Sequence, residues 1–219
     1  MANLNSSIDG LLNKMHSTRD TGKGTIGEKA VFKICEEFYQ KKGGILVHSY
    51  SYKVDKEQAG NIKRADDGHH YVENLGDSTE IDILYVSKYR VFPIEVKAYK
   101  AKNIVFTDEA ISGCYITNKS PVHQNEMHCR HLYAHIFRAL PNGRTDYIVP
   151  IVCMVDNAAI EDRRSDWQKE YIKVCILNNL SATIEAYNTP MDYQLNLAGI
   201  DKVLKEEMIS SEMYLPPRL

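Results

Sequence analysis

The stretch Glu80-Ile81-Asp82-Ile83-Leu84-Tyr85-Val86-Ser87-Lys88-Tyr89-Arg90-Val91-Phe92-Pro93-Ile94-Glu95-Val96-Lys97 decides the fold. Two runs rich in β-branched and aromatic residues, 80–86 and 91–97, flank the polar break Ser87-Lys88-Tyr89-Arg90, which predicts a β-hairpin. A turn symmetric about the Lys88–Tyr89 bond sets Ser87 opposite Arg90 and Asp82 opposite Glu95. Alternation then predicts Ile81, Ile83, Ile94 and Val96 on one face and Asp82, Glu95 and Lys97 on the other.

Like charges placed directly opposite each other destabilise a sheet unless something offsets them. Opposed residues have Cβ atoms about 4.5–5.5 Å apart, close enough for two carboxylates to share one hard, oxygen-seeking cation such as Mg²⁺. Lys97, on the same face, is placed to orient an attacking water, so the set suits phosphodiester hydrolysis. A plainer reading makes the three a solvated face, with Glu80 paired to Lys97 across the ladder. The apolar flanks Ile81-Ile83-Leu84 and Val91-Phe92-Pro93-Ile94 argue against it, because they bury the acids where unpaired charge is expensive.

Upstream of the hairpin, Thr25 is a candidate cap for a helix whose apolar positions Ile26, Ala30, Val31, Ile34, Cys35 and Phe38 recur at helical spacing and which ends at Gly43-Gly44. Residues 45–52 read as a strand. The polar stretch 53–79 reads as an inserted loop, a candidate mobile flap contacting substrate. Downstream, 104–106 and 114–117 are short strand candidates, and Ser120-Pro121 opens a helix predicted to run to Leu140. Residues 149–155 and 171–177 read as strands, 200–209 as a helix, and 213–219 as a tail. This order predicts an α/β fold with a mixed central sheet flanked by helices. The 219 residues suit one domain, with a core at about 25–177 and an extension at 178–219.

Composition narrows the function. Hydrophobic residues at 43% and charged residues at 26% are ordinary for a globular chain, and the longest apolar run, 147–155, is far short of the roughly 20 residues of a membrane span. The first thirty residues lack the apolar stretch of a secretory signal, which predicts a cytoplasmic protein. Five widely spaced cysteines suggest reduced, mostly buried thiols. The net charge of −2 means that any nucleic-acid surface is local. Between Lys97 and Arg144, seven Lys or Arg face three acids, a patch that includes Lys100, Lys102, Lys119 and Arg130. His123 and His128 lie within it, and Tyr99, Tyr115 and Tyr133 could stack on bases, although packing is the commoner fate of such residues. His131 and His135 have a spacing that can bind zinc, but no acidic third ligand accompanies them. Gly22-Lys23-Gly24-Thr25 lacks the spacing and preceding strand of a phosphate loop.

Four segments in order, Gly27-Glu28, Glu80-Ile81-Asp82, Ile94-Glu95-Val96-Lys97 and Ser120-Pro121-Val122-His123-Gln124, resemble the PD-(D/E)XK nuclease superfamily and within it the nuclease-related domain family. The resemblance implies a restriction-endonuclease-like core in which Asp82 and Glu95, with Glu28, bind Mg²⁺ or Mn²⁺. It also implies that Lys97 assists the attacking water and that Glu28 and Gln124 complete the catalytic site. Without the resemblance, Glu28 reads equally well as the acid of a capping box with Thr25, and Gln124 as a first-turn residue bonding locally. The expected activity is a metal-dependent deoxyribonuclease acting on DNA, with a homodimer possible. The alternatives are a sequence-specific type II-like restriction endonuclease on the same core, a non-catalytic nucleic-acid-binding module, and a partner-binding protein.

Overall fold

The computed structural model describes residues 23–54, 78–99, 101–113, 120–156 and 158–218. A six-strand path forms the central sheet. Strand β1 (Gly44–Lys53) pairs antiparallel with β2 (Ser78–Val86), and β2 pairs antiparallel with β3 (Val91–Lys97). Beyond β4 (Asn103–Phe106) and β5 (Ile111–Ser112), strand β6 (Ile151–Met154) adds parallel to β3. After β7 (Ala159–Asp162), strand β8 (Lys173–Ile176) adds parallel to β6. At the opposite edge, β9 (Met208–Ser210) and β10 (Met213–Arg218) both pair antiparallel with β1. A small second sheet has the order β5-β4-β7.

Helices cover both faces of the central sheet. On one, α1 (Lys23–Lys42) packs with Ala30, Val31, Ile34, Cys35 and Phe38 against Leu46, Ile83, Phe92, Ile94 and Val96. On the other, α2 (Pro121–Ile136) packs with Cys129, Leu132 and Ile136 against Val47, Leu84, Val86 and Val91. A short α3 (Asp166–Tyr171) precedes β8, α4 (Leu177–Tyr187) joins the α1 layer, and α5 (Leu197–Glu207) joins the α2 layer. The expected mixed sheet between helices is therefore present. Among the described residues no helix is long and apolar enough to cross a membrane. Cys35, Cys129, Cys153 and Cys175 are buried free thiols, as expected.

Several boundaries differ from the sequence expectation. Helix α1 already begins at Lys23, so Thr25 lies inside the first turn and does not cap it. Helix α2 does start at the predicted Ser120 cap, whose side chain accepts from the Val122 N–H, but it ends at Ile136. Tight turns at Phe137–Ala139 and Pro141–Gly143 follow, the second with Asn142 left-handed at φ 53°. Residues 213–218 are an edge strand, not a tail. Two adjacent prolines disguise it, yet Pro216 and Pro217 fall where the β1–β10 register shifts, and an edge tolerates residues without an N–H. The helix at 177–187, and α3, β7 and β9, are further elements that periodicity did not reveal. The loop at 55–77 and the strand candidate at 114–117 lie outside the described residues.

Candidate active site

The hairpin has the predicted register from Val86↔Val91 to Ile83↔Ile94. Ser87 closes the turn: its N–H donates to the Arg90 carbonyl at 2.8 Å, and its Oγ accepts from the N–H groups of Tyr89 and Arg90. The backbone ladder then stops. One residue further, Asp82 Oδ2 accepts the Val96 N–H at 2.7 Å, so a carboxylate stands where a strand carbonyl would have been. Asp82 and Glu95 are thus neighbours at the mouth of the hairpin and not a ladder pair.

A local inversion explains the break. Along β2, Ile83 faces the α1 layer, whereas Ile81 packs in the α2 layer. This corrects the expectation that Ile81 and Ile83 share a face. The neighbouring strand inverts at the same level, with His48 beside Phe32 of α1 and Tyr50 in the α2 layer. The ladder pairs His48↔Ile83 and Tyr50↔Ile81 bracket Ser49 and Asp82. Ser49 is left-handed at φ 53°, a conformation in which a non-glycine residue stores strain. Asp82 sits where both strands change face.

Glu95 is only 1% exposed and faces α2. Lys97 Nζ pairs with its Oε1, and His128 Nδ1 lies 3.3 Å from its Oε2. Burial opposes its ionisation, but His128 and Lys97 outweigh burial and hold the carboxyl below its ordinary range. Asp82 goes the other way, pushed up to about 8 by burial and by the Glu95 charge, against the pull of the Val96 N–H and Lys97. Two adjacent carboxyls with opposed proton affinities are characteristic of catalytic sites. The Glu80–Lys97 pair of the plainer reading does not form, because Lys97 turns to Glu95.

Lys97 and His128 each reach one Glu95 oxygen, so both sides of the buried carboxylate already face a nitrogen. Among the described residues, no three His, Cys, Asp or Glu side chains converge as a metal-ligand cluster. Asp82 and Glu95 alone would offer two carboxylates to a hard cation, whose remaining positions water and substrate would have to fill. Mg²⁺ commonly binds in this way. The expected third ligand, Glu28, has its Oε2 3.7 Å from His48 Nε2 and contributes to the negative charge felt by Asp82. Gly27 brings that turn of α1 onto the sheet, since a Cβ there would meet Val155 Cγ2 at 2.7 Å. Gln124 is half-buried in the first turn of α2, its N–H donating to the Ser120 carbonyl at 3.0 Å.

The basic patch changes most. His128 is buried against Glu95 and is not free to meet phosphate, which corrects its assignment to a nucleic-acid surface. Arg130 pairs with Glu126, and His123 Nδ1 lies 3.8 Å from the same carboxylate. Arg144 pairs with Asp146 and Asp192. Lys102 is exposed, whereas Lys100 and Lys119 lie outside the described residues. Tyr99 is buried and Tyr133 donates to the Gly143 carbonyl, so both pack, while Tyr115 lies outside the described residues. His135 Nε2 donates to the Lys53 carbonyl, 2.8 Å away.

Sequence reasoning missed the roles of His128, His48 and Asn125. His128 is four residues after Gln124, on the same helical face, and that spacing was the available signal. His48 is the lone ionisable residue in the apolar start of β1. Asn125 is fully buried, and its Nδ2 donates to the carbonyls of Pro93 at 3.3 Å and Ile151 at 2.8 Å, tying α2 to β3 and β6.

The family model of the nuclease-related domain matches residues 23–155, a span that includes Glu28, Asp82, Glu95, Lys97 and Gln124. No curated protein and no solved structure matches the chain significantly.

Proposed function

This chain belongs to the nuclease-related domain family, and on that premise we propose that it is a metal-dependent nuclease hydrolysing phosphodiester bonds in DNA. The observation that carries the reading is the buried Glu95 and half-buried Asp82, oppositely perturbed carboxyls at the mouth of the hairpin, with Lys97 beside them. Asp82 and Glu95 would hold Mg²⁺ or Mn²⁺, which supplies Lewis-acid stabilisation of the charge that develops on the phosphate.

The chain's own residues do the rest. Glu95 is kept ionised by Lys97 and His128, so one fixed negative charge awaits a cation at neutral pH. Asp82 adds a second when positive charge nearby makes loss of its proton favourable. The Lys97 ammonium, about one quarter exposed, reaches from the buried carboxylate toward solvent and can orient a water against the phosphorus. Packing of β3 between α1 and α2 keeps these groups in place before substrate arrives, the preorganisation that electrostatic catalysis needs.

The test is incubation with supercoiled, linear and single-stranded DNA in Mg²⁺, Mn²⁺ or EDTA. Cleavage that requires the metal and is lost in Asp82→Asn and Glu95→Gln supports the reading. Metal-dependent DNA binding without cleavage would make the chain a non-catalytic binding module.

A further inference from the structure

The family match ends at residue 155, yet the chain beyond it returns to the edge of the central sheet beside the candidate site. In the turn between β9 and β10, the Glu212 N–H donates to the His48 carbonyl at 2.9 Å, and Glu212 Oε2 lies 3.1 Å from His48 Nδ1. Backbone and side chain of one residue therefore grip the same histidine. The imidazole is buried, and the Phe32 ring packs on it with centroids 5.2 Å apart. Its other nitrogen, Nε2, has no hydrogen-bond partner and faces Glu28 Oε2 at 3.7 Å.

We propose that His48 is a positioning residue of the catalytic centre, oriented by Glu212 and acting through Glu28. The inference rests on the nuclease reading above. A buried ring held at Nδ1 and by Phe32 has no freedom to turn, so the direction of Nε2 is set by the C-terminal hairpin. Nε2 faces the Glu28 carboxylate at 3.7 Å, so an N–H there would draw that carboxylate toward one orientation, and Glu28 is near enough to add to the negative field at Asp82. Glu80 shares this field, lying among Glu28, Glu212 and His48. A partner that orients a functional carboxylate without touching substrate typically changes metal affinity or activity by about 10- to 100-fold when removed.

The experiment is a double-mutant cycle between His48→Gln and Glu28→Gln, with Glu212→Gln as a third substitution. Each protein is read as Mn²⁺ affinity by titration calorimetry and as cleavage rate, with thermal melts to verify folding. Glu212 is more than half exposed, so its variant keeps the proposal testable should His48→Gln fail to fold. In a Glu28-intact background, His48→Gln and Glu212→Gln should each weaken Mn²⁺ binding or lower kcat about tenfold or more, with the KM for DNA unchanged. In the Glu28→Gln background both effects should vanish. Additive losses, or losses confined to KM, would overturn the inference and leave the nuclease reading standing. Wild-type protein that binds Mn²⁺ but cuts no DNA would overturn the nuclease reading, with the coupling still legible in metal affinity. Wild-type protein inert in both assays overturns both.

Discussion

Asp82→Asn should make the metal-free protein more stable while abolishing cleavage. In the folded chain burial and the Glu95 charge push the Asp82 carboxyl up to about 8, against 3.8 for the same group free of its surroundings. Each tenfold change in proton affinity is worth about 1.4 kcal/mol. The folded state thus binds a proton that the unfolded state has released, throughout the window from pH 3.8 to about 8. By linkage, stability falls as pH rises across that window and levels off above it, because the unfolded chain binds fewer protons than the folded one. The full penalty above both values is on the order of 6 kcal/mol, and at pH 7 on the order of 4 kcal/mol. Asn removes it while keeping an amide oxygen for the Val96 N–H. Urea unfolding in EDTA at pH 5 and pH 8 measures this directly. The variant should lose the downward slope of stability with pH in that range and exceed wild type by several kcal/mol at pH 8. Saturating Mg²⁺ should narrow the gap, since a cation between Asp82 and Glu95 offsets in wild type what Asn offsets by neutrality. A variant with the wild-type pH slope, or one less stable than wild type at pH 8, would refute the placement of Asp82 as a half-buried, Glu95-coupled acid.

Lys97→Ala should lower kcat about 10²- to 10⁴-fold, within the range of lost proton-handling groups, and change affinity for DNA little when Ca²⁺ replaces Mg²⁺; equal losses in both would make Lys97 a phosphate anchor. Asn125→Ala leaves two buried carbonyls, those of Pro93 and Ile151, short of a donor. It should destabilise the fold by roughly 2–4 kcal/mol in urea unfolding, and a smaller loss would mean that water replaces the amide. Lys102→Ala should reduce the slope of log K against log salt by about 0.9 if Lys102 touches phosphate. Arg144→Ala should leave the slope unchanged, because Asp146 and Asp192 already hold that charge.

Much of this architecture was legible because it is local. The hairpin register follows from a four-residue turn and two apolar runs, and Ser87 satisfies three of the groups that close it. Ser120-Pro121 announces α2 through cap chemistry that needs no distant partner. What could not be read is where alternation fails. No pattern within β2 signals that Ile81 and Ile83 part company, because the cause is in another strand, at the left-handed Ser49. The same reason hid β10: its prolines read as a tail until β1 is present to accept them at an edge.

Non-locality also has chemical consequences at the site. Local sequence supplies Asp82, Glu95 and Lys97, but a hairpin alone would leave two acids and one base in water with near-ordinary proton affinities. His128 from α2 reaches Glu95 and with Lys97 holds its carboxyl low against burial, while burial and the Glu95 charge push Asp82 up. On the other side of the hairpin, His48 meets Glu28 from the first helix and Glu212 from the last hairpin. The motif residues identify the chemistry, while residues distant in sequence set the charge state in which that chemistry begins. Substitutions at His128 or His48 should therefore alter the site's behaviour although neither belongs to the four segments that carry the family resemblance.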